Sequence, residues 1–353
     1  MKIAQIAPLA EAVPPKLYGG TERVVSYLTE ELVALGHDVT LFASGDSITA
    51  ATLAPMCRQA LRLDKSIGDG NAPVFLMLER VLRRAHEFDI LHFHLDYMPF
   101  SLFTRQPTPH VTTLHGRLDL PEIWDHYELH SQVPLISISD SQRRPMAWAN
   151  WARTIHHGLP ENLFRPVAGA KPGYLAFLGR ISPEKRVDRA IEIAGRAGMK
   201  LKIAAKVDRA DRDYFEQRIE PLLKLPHVEY IGEIADHQKA EFLSGAHALL
   251  FPIDWPEPFG LVMIEAMACG VPVIAFNHGS VSEVMEDGVT GFIVDGMEAA
   301  VAAVDRLPLL SREVVRRRFE ARFTARRMAE DHVALYERLV RAAHPRMQAI
   351  AAE

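Results

Sequence analysis

Strand-like and helix-like stretches alternate from one end of this chain to the other, and the alternation runs twice. Apolar runs at Lys2–Ala7, Val39–Ala43, Ile90–His94, His110–Leu114, Leu135–Ser139 and Thr154–His156 read as strands. Between the first two, Val24, Val25, Leu28, Leu32 and Leu35 form the apolar stripe of a helix that Gly36 ends. The pattern restarts at Tyr174–Leu178 and continues through Leu201–Ala205, Val228–Ile231, Ala248–Phe251, Val273–Phe276 and Gly291–Val294. Such alternation selects the α/β class, with parallel sheets covered by helices. The join falls at Pro166–Pro172, whose Pro, Gly and small residues suit a linker. The expected domains are residues 1–166 and 173–325, with a last helical segment at 326–353 returning to the first domain.

A chain of 353 residues with 48% hydrophobic and 24% charged content has enough apolar material for two cores. Its net charge of -5 gives no global reason to bind nucleic acid or anionic lipid. No stretch approaches the ~18 apolar residues of a membrane span, and the N-terminus reads as a strand rather than a signal peptide. A cytoplasmic protein is expected. Its oligomeric state is not written in these features. Cys57 and Cys269 lack metal-ligand neighbours, so neither a disulfide framework nor a zinc site is expected.

Residues 252–283 carry the densest functional pattern. Ala248–Phe251 reads as a buried strand, Pro252–Pro258 as a loop, and Leu261, Ile264 and Ala268 as the core side of a helix stopping near Gly270. Strand, loop and helix mouth within ten or so residues aim backbone N–H groups at an anion. Six helical steps from Phe259 put Glu265 roughly 9 Å along the axis, too far from Glu257 for an acid and base pair. Two carboxylates so spaced can hold the ends of one long ligand: a phosphate at the mouth, a ribose on Glu265 and a sugar on Glu257. The competing reading is an acidic residue complementing the helix dipole and a second one facing solvent.

Other constellations stand beside it. Gly19 and Gly20, in Tyr18-Gly19-Gly20-Thr21-Glu22-Arg23, follow the first strand and open a helix, where open α/β sheets bind ligands. Arg180 follows a strand and Lys185 lies just beyond it, two cations that could neutralise a diphosphate or be ordinary surface charges. His92 and His94 share one strand face but lack a third ligand, which favours a structural role over a metal. Asp211-Arg212-Asp213 reads as a helix cap rather than a metal–diphosphate motif. The arginines at 316, 317, 318, 322, 326 and 327 read as a solvated helix rather than a membrane-surface one, and Trp148 and Trp151 as packing residues one helical turn apart.

The segment from Glu257 to Glu265 resembles the E-x7-E signature of retaining glycosyltransferase family 4, and the resemblance extends along nearly the whole chain. It implies the GT-B fold, two Rossmann-like domains with parallel sheets facing across a cleft. It implies transfer of a hexose from a nucleoside diphosphate sugar, UDP-glucose being the first choice, to an acceptor hydroxyl with retained configuration. The resemblance assigns the donor sugar to Glu257 and the ribose to Glu265. It gives the departing diphosphate to Arg180, Lys185, Gly19, Gly20 and the backbone of Phe259, Gly260 and Leu261. His115 matches a histidine that binds a sugar hydroxyl at the reaction centre, and Asp140 and Arg144 match the acceptor-facing loop. No cofactor and no catalytic metal are expected. Front-face attack, with the departing phosphate oxygen taking the acceptor proton, is preferred over a covalent Glu257 intermediate. A GT-B sugar-nucleotide epimerase, a glycoside phosphorylase and a non-catalytic nucleotide-sugar sensor are the alternatives.

The sequence departs from the family pattern in several places. Arg186 stands where Gly usually follows the Lys, and His157-Gly158-Leu159-Pro160 replaces Asn-Gly-Val/Ile-Asp. Ala205-Lys206-Val207 replaces Gly-x-Gly, and Ser280 stands in for a second glycine after Gly279.

Overall fold

Thirteen strands occur among the described residues, and all of their ladder pairings are parallel. The computed structural model describes residues 1–16 and 19–343, so Tyr18 and the expected final segment beyond Ala343 lie outside the described residues. The chain divides into an N-terminal unit, residues 1–158 with the Ala325–Ala343 helix, and a C-terminal unit, Leu159–Thr324.

The N-terminal sheet contains β1 (Lys2–Ile6), β2 (Asp38–Ser44), β3 (Thr52–Cys57), β4 (Ile90–Phe93), β5 (His110–Thr113), β6 (Leu135–Ser137) and β7 (Trp151–Thr154). Their order is β3-β2-β1-β4-β5-β6-β7. Strand β3 was not expected, because Pro55 interrupts its pattern. As an edge strand it tolerates a proline that a central strand would not. Strand β7 begins at Trp151, three residues before the expected Thr154, so Trp148 and Trp151 do not share a helix. Trp151 donates its indole N–H to the Met146 carbonyl, and Trp148 is exposed.

The C-terminal sheet contains β8 (Tyr174–Arg180), β9 (Leu201–Lys206), β10 (Val228–Gly232), β11 (Ala246–Phe251), β12 (Val273–Phe276) and β13 (Gly291–Val294), in the order β10-β9-β8-β11-β12-β13. Its core joins Leu175, Phe177, Ile191, Ile203, Leu250 and Ile274. This unit takes over at Leu159, before the Pro166–Pro172 stretch. The Leu159 N–H donates to the Phe323 carbonyl, Phe164 is fully buried, and Arg316 donates to the Phe164 carbonyl.

In each sheet the chain runs outward from one central strand and returns on its other side, at β1/β4 and at β8/β11. The connections leave such a junction in opposite directions and open a crevice at the carboxyl ends of the two strands. Arg180 ends β8 and the loop bearing Glu257 leaves β11, so the fold brings residues about seventy positions apart to one junction.

The arginine-rich helix Arg312–Arg322 is more than a solvated face. Arg312 donates to the Ala246 and Ser244 carbonyls, Arg322 to the Glu283 and Val284 carbonyls, and Arg316 to the Ala268 carbonyl as well as Phe164. Ala268 is the last residue of the Leu261–Ala268 helix, so Arg316 places positive charge at the negative end of its dipole. Among the described residues no helix is long and apolar enough to cross a membrane.

Candidate functional site

The loop after β11 is held in place before any ligand arrives. Gly279 has φ of +61°, and a Cβ there would lie 2.3 Å from the Glu257 backbone nitrogen, so this approach admits only glycine. The next residue, Ser280, donates its N–H to the Glu257 carbonyl at 3.0 Å and its hydroxyl to the Phe259 carbonyl at 2.8 Å. The sequence departure at 280 therefore supplies a hydroxyl that anchors the loop.

Glu257 is buried and its Oε2 accepts from two donors, the Lys185 ammonium and, at 2.9 Å, the Trp255 indole N–H. Lys185 Nζ also lies 4.9 Å from the Trp255 ring centroid. A cation, a carboxylate and an aromatic face thus meet beside the mouth of the Leu261–Ala268 helix, which Gly260 opens with φ of +79°. The helix starts at Leu261 rather than at Phe259. Glu265 is therefore four steps from its first residue, roughly 6 Å along the axis instead of 9 Å. First-turn amides of a helix have no intrahelical carbonyl to bind, so its mouth remains the anion-facing end. The Phe259 side chain is buried, 6.2 Å from the Phe323 ring.

Glu265 is almost completely buried. Its Oε1 accepts from Lys239 Nζ at 2.7 Å, and its Oε2 is buried with no hydrogen-bond partner among the described residues. The reading of Glu265 as facing solvent is excluded. Lys239 was not singled out in the sequence, where it is one lysine among polar neighbours on the Asp236–Ser244 helix.

Arg180 sits among carboxylates. It donates to Glu184 Oε1 at 2.6 Å and approaches Asp208 Oδ2 at 3.5 Å and Asp211 Oδ2 at 3.7 Å. Burial raises the Glu184 carboxyl, but its own backbone N–H, Ser182 and Arg180 outweigh this and hold it below the usual range. Asp208 is held low in the same way, burial being outweighed by Lys206 and Arg180. Burial wins at Asp211 and raises it, despite Arg180. Asp211 stands at a helix start but makes no capping hydrogen bond, so its expected role as a cap is corrected: it faces Arg180. Lys206 pairs in register with Arg180 on the neighbouring strand and contacts Asp208 at 3.0 Å. The departure at Ala205-Lys206 adds a cation at this edge.

Arg186 adopts the left-handed conformation, φ 52° and ψ 51°, which a glycine adopts without strain. Its guanidinium is tied to Asp188 at 2.8 Å and Asp254 at 2.9 Å, which offsets the cost. The residue after Lys185 thus makes a left-handed turn without being a glycine.

In the N-terminal unit, Gly19 precedes the Gly20–Ala34 helix, and a Cβ on Gly19 would meet Pro15 at 2.8 Å. The close approach is therefore already made by the chain itself. Glu22, in the first turn, is buried, and burial raises its carboxyl against the pull of its own backbone N–H. Asp140 accepts from Thr154 and Arg143, and Arg144 is exposed. His115 follows β5. Its Nε2 lies 2.9 Å from His94 Nδ1, and its ring stacks on His157 at 5.3 Å. His157 is the residue that replaces the family's Asn. Burial lowers the His115 pKa to about 3, with His332 adding to the shift. His92 and His94 are buried in hydrogen bonds with Gln5, Tyr336 and Thr113, the structural role expected of them.

Two family models match this chain in succession, "Glycosyltransferase Family 4" over residues 18–158 and "Glycosyl transferases group 1" over residues 160–322. The chain is a glycosyltransferase of the GT-B fold.

Among similar proteins, the phosphatidyl-myo-inositol mannosyltransferase of Mycobacterium tuberculosis is 25% identical to this glycosyltransferase, over 91% of this chain and 90% of the relative. A glycogen synthase from the same organism is 27% identical over 82% and 83%. Among solved structures, the sucrose-phosphate synthase of Thermosynechococcus elongatus has a TM-score of 0.76 at 21% identity, covering 97% of this chain and 99% of that one. An Anabaena protein, HepE, solved with UDP and glucose, has a TM-score of 0.72 at 19% identity over 95% and 98%. These likenesses establish the fold of the glycosyltransferase.

Proposed function

We propose that the enzyme transfers a hexose from a nucleoside diphosphate sugar to an acceptor hydroxyl with retention of configuration, as the retaining members of family 4 do, and that UDP-glucose is its donor. The observation that carries this reading is the Lys185–Glu257 ion pair at the mouth of a helix whose second carboxylate, Glu265, keeps one oxygen unbonded. A diphosphate carries the charge that draws Lys185 and Arg180, whose cations stabilise it as it leaves. A ribose diol supplies the donors that Glu265 Oε2 lacks. Glu257, once Lys185 turns toward phosphate, accepts from hydroxyls of the hexose, with Trp255 steadying its carboxylate. The first-turn amides at Gly260 and Leu261, the Phe259 backbone and the Gly19-Gly20 loop are assigned to the diphosphate. His115 binds a sugar hydroxyl, and Asp140 and Arg144 serve the acceptor side.

The UDP and glucose of the HepE structure support the choice of donor. In the proposed chemistry the acceptor oxygen attacks the anomeric carbon from the face the diphosphate leaves. The C–O bond to phosphate breaks with its electron pair going to the phosphate oxygen, and that oxygen takes the acceptor proton. Positive charge comes from Arg180 and Lys185, without a catalytic metal.

The test uses water as the acceptor. With UDP-α-glucose, NMR of the first released sugar should show the α anomer before mutarotation, and a slow donor analogue should leave Glu257 unmodified by mass spectrometry. Release of the β anomer, or a glycosyl–Glu257 adduct, would overturn the proposed mechanism.

A further inference from the structure

The carboxamide of Gln5, fully buried on β1, bonds in two directions. Its Nε2 donates to Tyr336 Oη at 3.1 Å and lies 3.4 Å from His92 Nδ1, while its Oε1 lies 2.9 Å from His94 Nε2. Tyr336 Oη in turn lies 2.6 Å from His92 Nδ1, His92 Nε2 lies 2.7 Å from Thr113 Oγ1, and His94 Nδ1 lies 2.9 Å from His115 Nε2. The hydrogen bonds form one series from the Ala325–Ala343 helix, through β1 and β4, to Thr113 at the end of β5 and His115 just beyond it. Burial keeps the three imidazoles neutral, each with its pKa well below the ordinary value.

A neutral imidazole offers one donor and one acceptor, and an amide oxygen can only accept. Gln5 Oε1 therefore requires the proton on His94 Nε2, which leaves His94 Nδ1 as an acceptor. His115 must then donate from Nε2, and its own Nδ1 carries the lone pair. That nitrogen is buried and has no hydrogen-bond partner among the described residues, although His115 as a residue is less buried than Gln5, His92, His94, Thr113 and Tyr336 in the same series. Turning the Gln5 carboxamide over would reverse every donor in the series. It would leave a buried N–H on His115 unpaired, and orphaned donors are rarer than orphaned acceptors in folded proteins, as backbone groups show.

We propose that Gln5, acting through His94, is a positioning residue that fixes His115 as the Nε2–H tautomer, so that Nδ1 accepts a hydrogen bond from a hydroxyl of the carbohydrate substrate. The identity of the ligand rests on the hexose-transfer reading above; the tautomer does not. The unpaired nitrogen loses a hydrogen bond's worth of stability until the hydroxyl arrives. Gln5 lies at the β1/β4 junction of the sheet, which is why a residue so early in the chain reaches one near position 115.

The experiment is a ring ¹⁵N–¹H two-bond correlation spectrum of the labelled full chain without substrate, with His115 assigned by its loss in His115→Gln. At neutral pH the pattern should be that of an Nε2–H tautomer. An Nδ1–H pattern or an imidazolium at His115 overturns the proposal. In a Gln5→Met variant, shown to be folded by circular dichroism, the tautomers should mix. The kcat/KM preference for a donor hexose over the analogue lacking the bound hydroxyl should fall from about fivefold to near unity, a loss equal to one neutral hydrogen bond. An unchanged preference in folded Gln5→Met overturns the relay. Because the spectrum of the unmodified chain needs no variant, the proposal stays testable if Gln5→Met fails to fold. The expected tautomer in a chain that turns over no donor supports the relay and overturns the hexose-transfer reading instead.

Discussion

Lys239 Nζ and Glu265 Oε1 are 2.7 Å apart, and this contact fixes which of the two Glu265 oxygens is available. Lys239 also reaches Asp236 Oδ1 at 3.2 Å, so the ammonium is held from two sides and holds Glu265 in turn. The remaining oxygen, Oε2, is buried and unbonded among the described residues. If a ribose diol completes it, the ribo form of the nucleotide should bind at least tenfold tighter than its 2′,3′-dideoxy analogue, the value of one hydrogen bond to a charged acceptor. Glu265→Ala should bring the two to parity. Equal affinities in the unmodified enzyme would remove the ribose assignment.

The Lys185–Glu257 pair predicts a stability effect as well as a catalytic one. Both side chains are largely buried, so Lys185→Met leaves the Glu257 carboxylate on the Trp255 indole N–H without its cation and should destabilise the C-terminal unit by about 3 kcal/mol. Adding Glu257→Gln should recover much of that loss while transfer stays abolished. Denaturant midpoints of the two variants and the double variant check it. Additive losses would mean that the pair does not couple.

Arg186 reverses the usual rank of Gly and Ala. Both substitutions lose the ion pairs to Asp188 and Asp254, but only Ala keeps the cost of a left-handed backbone at 186. Arg186→Gly should therefore be more stable than Arg186→Ala by about 1 kcal/mol. Thermal midpoints decide this, and a more stable Ala variant would show that the turn relaxes out of the left-handed region.

Acid should weaken the N-terminal unit first. Burial holds His92, His94 and His157 well below their ordinary value of 6.5, and holds His110 and His332 at about 4 and His115 at about 3. A group whose folded pKa is depressed is less protonated in the folded chain than in the unfolded one. The stability it contributes is complete above pH 6.5 and is lost as pH falls from there toward the folded values. Each such histidine costs up to ~1.4 kcal/mol per pH unit in that window. Denaturant unfolding between pH 7.5 and about 4.5 should show falling stability, with a shallower slope in His332→Gln. A flat profile would mean that the histidines are not kept neutral.

Much of this could be read from the residues, and the parts that could not have physical reasons. The alternation of segments gave the parallel sheets because strand and helix periods differ locally. Thr52–Cys57 escaped because edge pairing, which tolerates Pro55, is a property of the sheet and not of the segment. Arg180 and Lys185 stood out as charges beside a strand end, and Glu257 and Glu265 as two carboxylates spaced across a loop and a helix, but their partners did not. Lys239, Asp208 and Asp211 are brought to them by the sheet order, which local sequence does not encode. Trp255 lay inside the motif and could have been chosen as the aromatic beside two charges. Gln5 carried no signal, since a lone glutamine in a strand gains meaning only from what the neighbouring strand places opposite it. Arg186 and Ser280 looked like losses of glycine, and the structure shows each compensated by its own side chain.

The central claim is that the C-terminal unit is built to hold a nucleoside diphosphate hexose, and calorimetric titration with a panel of such donors tests it most directly. UDP-glucose or another member of the panel should bind, its affinity should fall at least tenfold in Glu265→Ala, and the folded Lys185→Met/Glu257→Gln variant should lose it. Failure of every donor to bind, or undiminished binding in both variants, would contradict the claim.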